Sequence, residues 1–109
     1  MLLVAGNLIL DDPGLAELRA INAAHTAATE AEEGCISFSL GVSDERTGNV
    51  CVLEMWRDQE ALLDHHRQPH TKLFLDRVGP HIKEMNVHLY PSDGPKPLPM
   101  IERLEHLKA

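Results

Sequence analysis

The sequence predicts one α+β domain of the ferredoxin-like type, with elements in the order β-α-β-β-α-β and a four-stranded antiparallel sheet. Three observations predict this fold class. Several segments carry apolar side chains in the alternating pattern of strands, and the stretches between them carry apolar residues at helical spacings. The third observation is length, since 109 residues suffice for one hydrophobic core and are too few for two.

The first strand and the first helix are joined by a turn. Leu2–Leu10 is apolar on both alternating faces, which indicates a strand. Residues 11–14 form a turn in which an aspartate can cap the following helix. That helix is predicted at residues 15–33 and is expected to stop at Gly34. Its apolar stripe consists of Leu15, Leu18, Ile21, His25 and Ala28.

The second and third strands form a hairpin. Residues 35–42 alternate strictly between apolar and small polar side chains, as in a half-buried strand. The apolar face consists of Ile36, Phe38, Leu40 and Val42. A polar loop at residues 43–49 then leads to a third strand at residues 50–57.

The second helical stretch is predicted to be broken. Asp58 can cap a helix, which Pro69 interrupts because proline lacks the N–H that a helix interior needs. A further helix is expected from about Pro69 to Gly79, followed by the last strand at about residues 83–90.

Residues 1–91 are predicted to form the domain, and residues 92–109 a proline-rich linker with a short helical tail. The tail has one apolar edge, formed by Ile101, Leu104 and Leu107. Because so short a helix is marginal alone in water, we expect it to dock on the partner subunit.

A homodimer is predicted from the strands themselves. The third strand is apolar on both faces, with Cys51, Leu53 and Met55 against Val50, Val52 and Trp56. Helices cover one face of such a sheet, so the other face would expose a large apolar patch in a monomer. Pairing of two sheets removes this patch, and the alternative is that the tail folds back over it.

Charge and cysteine content exclude several classes of protein. A net charge of −7 argues against nucleic acid and anionic membranes as partners. The apolar start lacks a basic region and is too short to span a bilayer, so a cytoplasmic location is expected. Cys35 and Cys51 lack a metal or redox spacing, and we expect buried free thiols.

A candidate pocket is predicted beside the third strand. Period two places Glu54 and Trp56 on one face. Strands one and three are expected to be neighbours that run parallel, which would put Asn7 towards the same end of the sheet. Asn7 either makes a structural hydrogen bond or points into a ligand pocket, and both alternatives remain open.

The histidines are the candidate proton-transfer groups. His65 is either a proton shuttle or a surface histidine, and His25, on the helical stripe, is expected to be a hydrogen-bonded core residue. Adjacent His66 points about 100° away from His65. No metal site is predicted, because Pro69 separates His66 from His70 and no H-E-x-x-H motif occurs.

An ordered set of short motifs resembles the antibiotic biosynthesis monooxygenase domain, which includes small bacterial quinol monooxygenases. The motifs are Glu32-Glu33-Gly34-Cys35, Glu54-x-Trp56, Glu60-Ala61-Leu62-Leu63-x-His65, Pro69-His70-x-Lys72-x-Phe74 and Glu84-Met85-Asn86. The resemblance covers about residues 1–91. It implies a dimeric α/β barrel that oxygenates a small phenolic or quinol-like aromatic substrate without metal, flavin or other cofactor.

The resemblance also implies roles for individual residues. Trp56 would form a wall against the substrate ring, Asn7 would donate a hydrogen bond to a developing oxyanion, and His65 would act as the base. The substrate-binding residues would be Glu54, His70, His25 and Phe74.

Other branches of the same family keep alternatives open. One processes a small phosphorylated dicarbonyl signal molecule, where His25 would serve as acid or base, and a non-catalytic ligand-binding barrel is a third possibility. Haem-degrading members place a tryptophan and a histidine after the third strand. Here Asp64 or His65 and Leu75 or Asp76 stand near those positions, so haem degradation is not expected.

Overall fold

The structure is a computed structural model that describes residues 1–99. Its elements are β1 (Leu2–Leu10), α1 (Asp12–Glu30), β2 (Cys35–Asp44), β3 (Asn49–Trp56), α2 (Gln59–His66), α3 (Pro69–Arg77), a 3₁₀ turn (Gly79–His81) and β4 (Ile82–Pro91). This confirms the predicted ferredoxin-like order and the break at Pro69. Residues 92–99 contain no helix or strand, and the predicted helical tail lies outside the described residues.

The strand order in the sheet is β2-β3-β1-β4, and all neighbours are antiparallel. The prediction that β1 and β3 run parallel is therefore wrong. The crossover through α1 makes β2 parallel to β1, and the hairpin then reverses the chain into β3 between them. As a result Asn7 pairs with Cys51, whereas Trp56 pairs with Leu2 at the other end of β1.

The main core lies between the sheet and α1. Asp11 caps α1 as predicted, because its side chain accepts a hydrogen bond of 2.8 Å from the Gly14 N–H. The buried stripe of α1 follows the prediction except that Thr29 replaces Ala28, and the Thr29 hydroxyl donates to the His25 carbonyl. The core cluster contains Leu8, Leu10, Leu15, Leu18, Ile21, Val50, Val52 and Val78.

Two local expectations are corrected. The helix ends at Glu30 with Ala31 as C-cap, so Gly34 does not terminate it. Glycine is needed at position 34 because a Cβ there would overlap the Cβ of Ala61 in α2. Ile36 was expected to share the buried face with Phe38, but a bulge in β2 leaves Ile36 55% exposed.

The sheet face opposite the helices, which we call the open face, carries apolar side chains. Leu53 is 42% exposed and Tyr90 is 53% exposed. Cys51 is also exposed and Cys35 is partly buried, so the expectation of two buried thiols is wrong for Cys51. Within residues 1–99, no helix has the length and apolar character needed to cross a membrane.

Candidate functional site

A cavity of about 340 Å³ lies between the sheet and the helices, which we call the inner cavity. This volume is within the range of small-molecule sites, roughly 300 to 1,000 Å³. Most of its lining is apolar and comes from all four strands and α3, including Phe38 and Phe74. The polar lining consists of His25, Glu54, His65, His66 and Thr71.

His25 enters the inner cavity from α1. It is buried, and its Nδ1 lies 3.2 Å from the backbone oxygen of His70. Because a carbonyl only accepts, Nδ1 carries the hydrogen and Nε2 keeps the lone pair. Burial lowers the pKa of His25, so the ring is neutral at pH 7. His25 is thus the hydrogen-bonded core residue that was predicted, and it also lines the cavity.

His65 enters the inner cavity from α2. Its Nδ1 lies 2.7 Å from Oε2 of Glu32, and its ring packs 4.7 Å from the Trp56 ring. A carboxylate oxygen accepts, so Nδ1 donates and the Nε2 lone pair is left for another partner. Burial lowers the pKa of His65, although the hydrogen bond to Glu32 opposes this shift. The result is a neutral imidazole that can act as a base near pH 7.

Glu32, just beyond the C-cap of α1, is a candidate site residue that the sequence analysis missed. The same Oε2 atom that bonds His65 lies 2.9 Å from Nε2 of His70. Glu32 stood in one of the quoted motifs, but no periodicity links the end of α1 to α2 and α3. Only the packed fold brings these three side chains together.

Glu32, His65 and His70 also form a group of metal-ligand type, with three ligand atoms within 4.8 Å of one another. Histidine and carboxylate suit zinc or iron. Two of the separations are hydrogen-bond lengths, 2.7 and 2.9 Å, so we describe the group as a hydrogen-bonded triad. The sequence-based expectation of no metal considered a different pair, His66 with His70, and stays a prediction.

Trp56 and Glu54 form a second hydrogen-bonded pair. The Trp56 Nε1–H donates a 2.9 Å hydrogen bond to Oε1 of Glu54. Glu54 lines the inner cavity, and burial raises the pKa of its carboxyl although the Trp56 bond opposes the shift. Trp56 itself is 0% exposed. Sequence analysis placed it against a substrate ring, whereas the structure places it one layer behind, where it supports Glu54 and His65.

Asn7 is the predicted site residue that the structure places elsewhere. Its neighbour Leu8 points into the core, so Asn7 points to the open face. There its side-chain amide donates a 2.6 Å hydrogen bond to Asn49, the structural alternative of the two considered. The antiparallel pairing of β1 with β3 also places Asn7 at the end of β1 away from Trp56. Asn7 therefore does not meet Trp56 or His65.

The remaining predicted site residues, Phe74 and His70, lie at different cavities. Phe74 lines the inner cavity, where its ring stacks on His25 with centroids 5.1 Å apart. His70 does not line the inner cavity and is connected to it by hydrogen bonds. Its backbone oxygen accepts from His25, and its side chain donates to Glu32. Its ring lines a different cleft on the outer surface.

Similar proteins agree with this fold. The chain is 26% identical to Rv0793 from Mycobacterium tuberculosis, with a TM-score of 0.72 over 87% of this chain and 98% of that one. It is 19% identical to a candidate antibiotic biosynthesis monooxygenase from Deinococcus radiodurans, with a TM-score of 0.75 over 90% and 98% of the two chains. A conserved protein from Methanosarcina mazei Go1 has 21% identity and a TM-score of 0.71 over 82% and 89%.

No protein with a curated description matches the chain. The sequence pattern of the antibiotic biosynthesis monooxygenase family matches residues 1–77, which include β1 to β3 and α1 to α3. The chain therefore belongs to the antibiotic biosynthesis monooxygenase family.

Proposed function

We propose that this protein is a monooxygenase that oxidises a small neutral phenol or hydroquinone with dioxygen, without a metal or flavin cofactor. The observation that carries the proposal is an apolar inner cavity lined by two buried histidines, His25 and His65, each bonded through Nδ1 to an acceptor. Membership of the monooxygenase family supports the same reaction class.

The charge of the cavity lining favours a neutral substrate. Among the described residues that line the inner cavity, none is lysine or arginine. A phosphate group would be buried there without a cationic partner, which is costly in an apolar site. A phenolic hydroxyl can instead donate to an imidazole lone pair. This argues against the alternative of a phosphorylated dicarbonyl substrate.

The proposed reaction begins with His65. Its Nε2 takes the proton of a substrate hydroxyl and leaves an electron-rich phenolate that can reduce dioxygen. One oxygen atom enters the ring as the new C–O bond forms. The other leaves as water with two hydrogens of the substrate, one returned by His65 and one from the ring carbon that is oxidised. The mostly apolar lining disfavours water beside the reactive intermediate.

We also propose that two chains associate through their open faces. The exposed apolar side chains there, among them Leu53 and Tyr90, are of the kind that a monomer rarely leaves in water as a patch. A cytoplasmic location remains part of the proposal as well.

The test is oxygen uptake with a panel of hydroquinones and naphthols, using protein freed of metal by a chelator. We expect uptake by the wild type and a loss of about 100-fold or more in His65→Gln, the usual contribution of a general base. His81→Gln is the matched control, because His81 lies in the 3₁₀ turn and does not line the inner cavity. Binding of the same compounds without oxygen uptake would support the alternative of a ligand-binding barrel and contradict the proposal.

A further inference from the structure

The triad of Glu32, His65 and His70 separates two cavities. On one side is the inner cavity, which His65 lines. On the other side is an outer cleft of about 560 Å³, lined among others by Glu32, Asp64, Gln68 and His70. The triad is largely buried between them, with side-chain exposures of 6% for His65 and 12% for Glu32.

A single carboxylate oxygen organises the triad. Oε2 of Glu32 is 2.7 Å from Nδ1 of His65 and 2.9 Å from Nε2 of His70. Since a carboxylate has no hydrogen to give, each ring donates at that position. The bond fixes His65 as the tautomer with the lone pair on Nε2. The hydrogen bond from His70 in turn fixes the position of the Glu32 carboxylate.

His70 acts on the second cavity histidine as well. Its backbone oxygen accepts from Nδ1 of His25, which leaves the His25 lone pair on Nε2. His70, which lies outside the inner cavity, is therefore bonded, directly or through Glu32, to the two buried imidazoles that line it, His25 and His65.

We propose that Glu32 and His70 are positioning residues for the base, which hold the lone pair of His65 at Nε2 and stabilise its imidazolium after it has taken the substrate proton. The inference rests on the proposed function. Neither residue lines the inner cavity, so neither is expected to contact substrate. The arrangement follows the logic by which a buried carboxylate orients a catalytic histidine in hydrolases.

The charged and titratable groups around His65 favour this role for Glu32. They are His25 from α1, His66 from α2 itself, His70 from α3, Glu54 from β3 and Glu32. Among them, Glu32 is the carboxylate within hydrogen-bond distance of His65, and it raises the pKa of His65 against the larger effect of burial. Removal of the Glu32 charge should therefore lower that pKa further.

The first arm of the test needs no substrate. Two-bond ¹H–¹⁵N spectra of the histidine rings report the tautomer and the titration midpoint of each imidazole. We expect His65 of the wild type to be protonated at Nδ1, and its midpoint to move to lower pH in Glu32→Gln. Glu33→Gln is the matched control, because the adjacent Glu33 side chain is 93% exposed and, among residues 1–99, its ion-pair partner is Arg57, at 3.6 Å.

The second arm uses oxygen uptake with 1,4-dihydroxynaphthalene. Glu32→Gln should lower kcat roughly tenfold, less than His65→Gln, with little change in KM, since the base remains but its imidazolium loses a charged partner in the chemical step. The pH at which kcat/KM of Glu32→Gln begins to fall on the acid side should also be lower than in the wild type, because the base stays neutral at lower pH. Glu32→Asp should restore part of the rate, and His70→Gln should cause a smaller loss than Glu32→Gln.

The inference and the proposed function would be overturned by different experimental results. A wild-type His65 protonated at Nε2, or a midpoint equal in wild type, Glu32→Gln and His70→Gln, would overturn the inference whether or not the protein consumes oxygen. Absence of oxygen uptake by the wild type would overturn the proposed function, and the spectra would still decide the geometry of the triad. If Glu32→Gln does not fold, His70→Gln and Glu32→Asp provide the same comparison.

Discussion

The two faces of the sheet use the same four strands for different purposes. On the helix-covered face, β3 presents Glu54 and Trp56 to a buried layer that contains the histidines. On the open face, the alternate positions present Cys51 and Leu53 to the surface. Because alternate residues of a strand point to opposite faces, one set of β3 side chains serves the proposed chemistry and the other set the proposed association. Both sets are largely apolar.

The polar residues of the two faces also differ in their surroundings, as Glu54 and Asn7 illustrate. Glu54 on the covered face is partly buried, and this burial raises the pKa of its carboxyl. Asn7 on the open face is bonded to Asn49 and does not line the inner cavity. A buried polar group on the covered face is therefore a candidate for function, whereas Asn7 contributes to the sheet.

The largest effect is expected on the covered face, at Trp56. Trp56→Ala should lower the free energy of unfolding by about 3–5 kcal/mol, because the ring is completely buried between Glu54 and His65. Trp56→Phe should lose less, since it keeps part of the packing and removes the hydrogen bond to Glu54. Urea unfolding measures both, and equal losses in the two variants would contradict this packing.

A smaller effect, confined to association, is expected on the open face. Leu53→Glu should weaken the dimer at least about tenfold, because an unpaired buried charge costs several kcal/mol. Sedimentation equilibrium of wild type and variant measures the change. A wild type that is monomeric at micromolar concentration, or a variant that dimerises equally well, would show that the open face is not the interface.

The covered-face histidines should also give the protein a distinct pH dependence. Burial lowers the pKa values of His25 and His65 from 6.5 in the folded state, so the unfolded chain binds more protons below that pH. Stability should therefore be complete above about pH 6.5 and decrease as the pH falls below it. Chemical denaturation at pH 7.5 and 5.5 checks this, and His25→Gln should reduce the decrease. Equal stability at both pH values would contradict the burial of neutral rings.

The smallest effect is expected for Asn7. Asn7→Ala removes one partly buried hydrogen bond and should lower the free energy of unfolding by about 1 kcal/mol. Oxygen uptake should be unchanged in kcat and KM, because Asn7 lies on the open face. A rate loss like that expected for His65→Gln would show that Asn7 takes part in the reaction. It would contradict the view that only the covered face serves the proposed chemistry.

Local patterns predicted most of the fold. The capping residues Asp11 and Asp58 and the helix-breaking Pro69 act through the backbone within a few residues, so they could be recognised in the sequence. Strand direction could not be read in this way. Asn7 was misplaced because relative strand direction depends on the crossover and hairpin together, and one wrong direction moved it to the other end of the sheet.

The site was predicted less completely, for a related reason. His25 and His65 could be selected because imidazoles titrate near neutral pH and lie within helical patterns. Glu32 could not, since its role depends on α1, α2 and α3 converging at one carboxylate oxygen. The bulge that exposes Ile36 is likewise a feature of strand pairing rather than of the alternating sequence.

Labelling with ¹⁸O₂ tests most directly the claim that oxygenation occurs in the inner cavity. Wild type and His65→Gln would react with 1,4-dihydroxynaphthalene under ¹⁸O₂, and mass spectrometry would count the label in the product. We expect one ¹⁸O atom per product molecule, formed about 100-fold more slowly by His65→Gln. An unlabelled product, or equal rates of labelling by the two proteins, would contradict this claim.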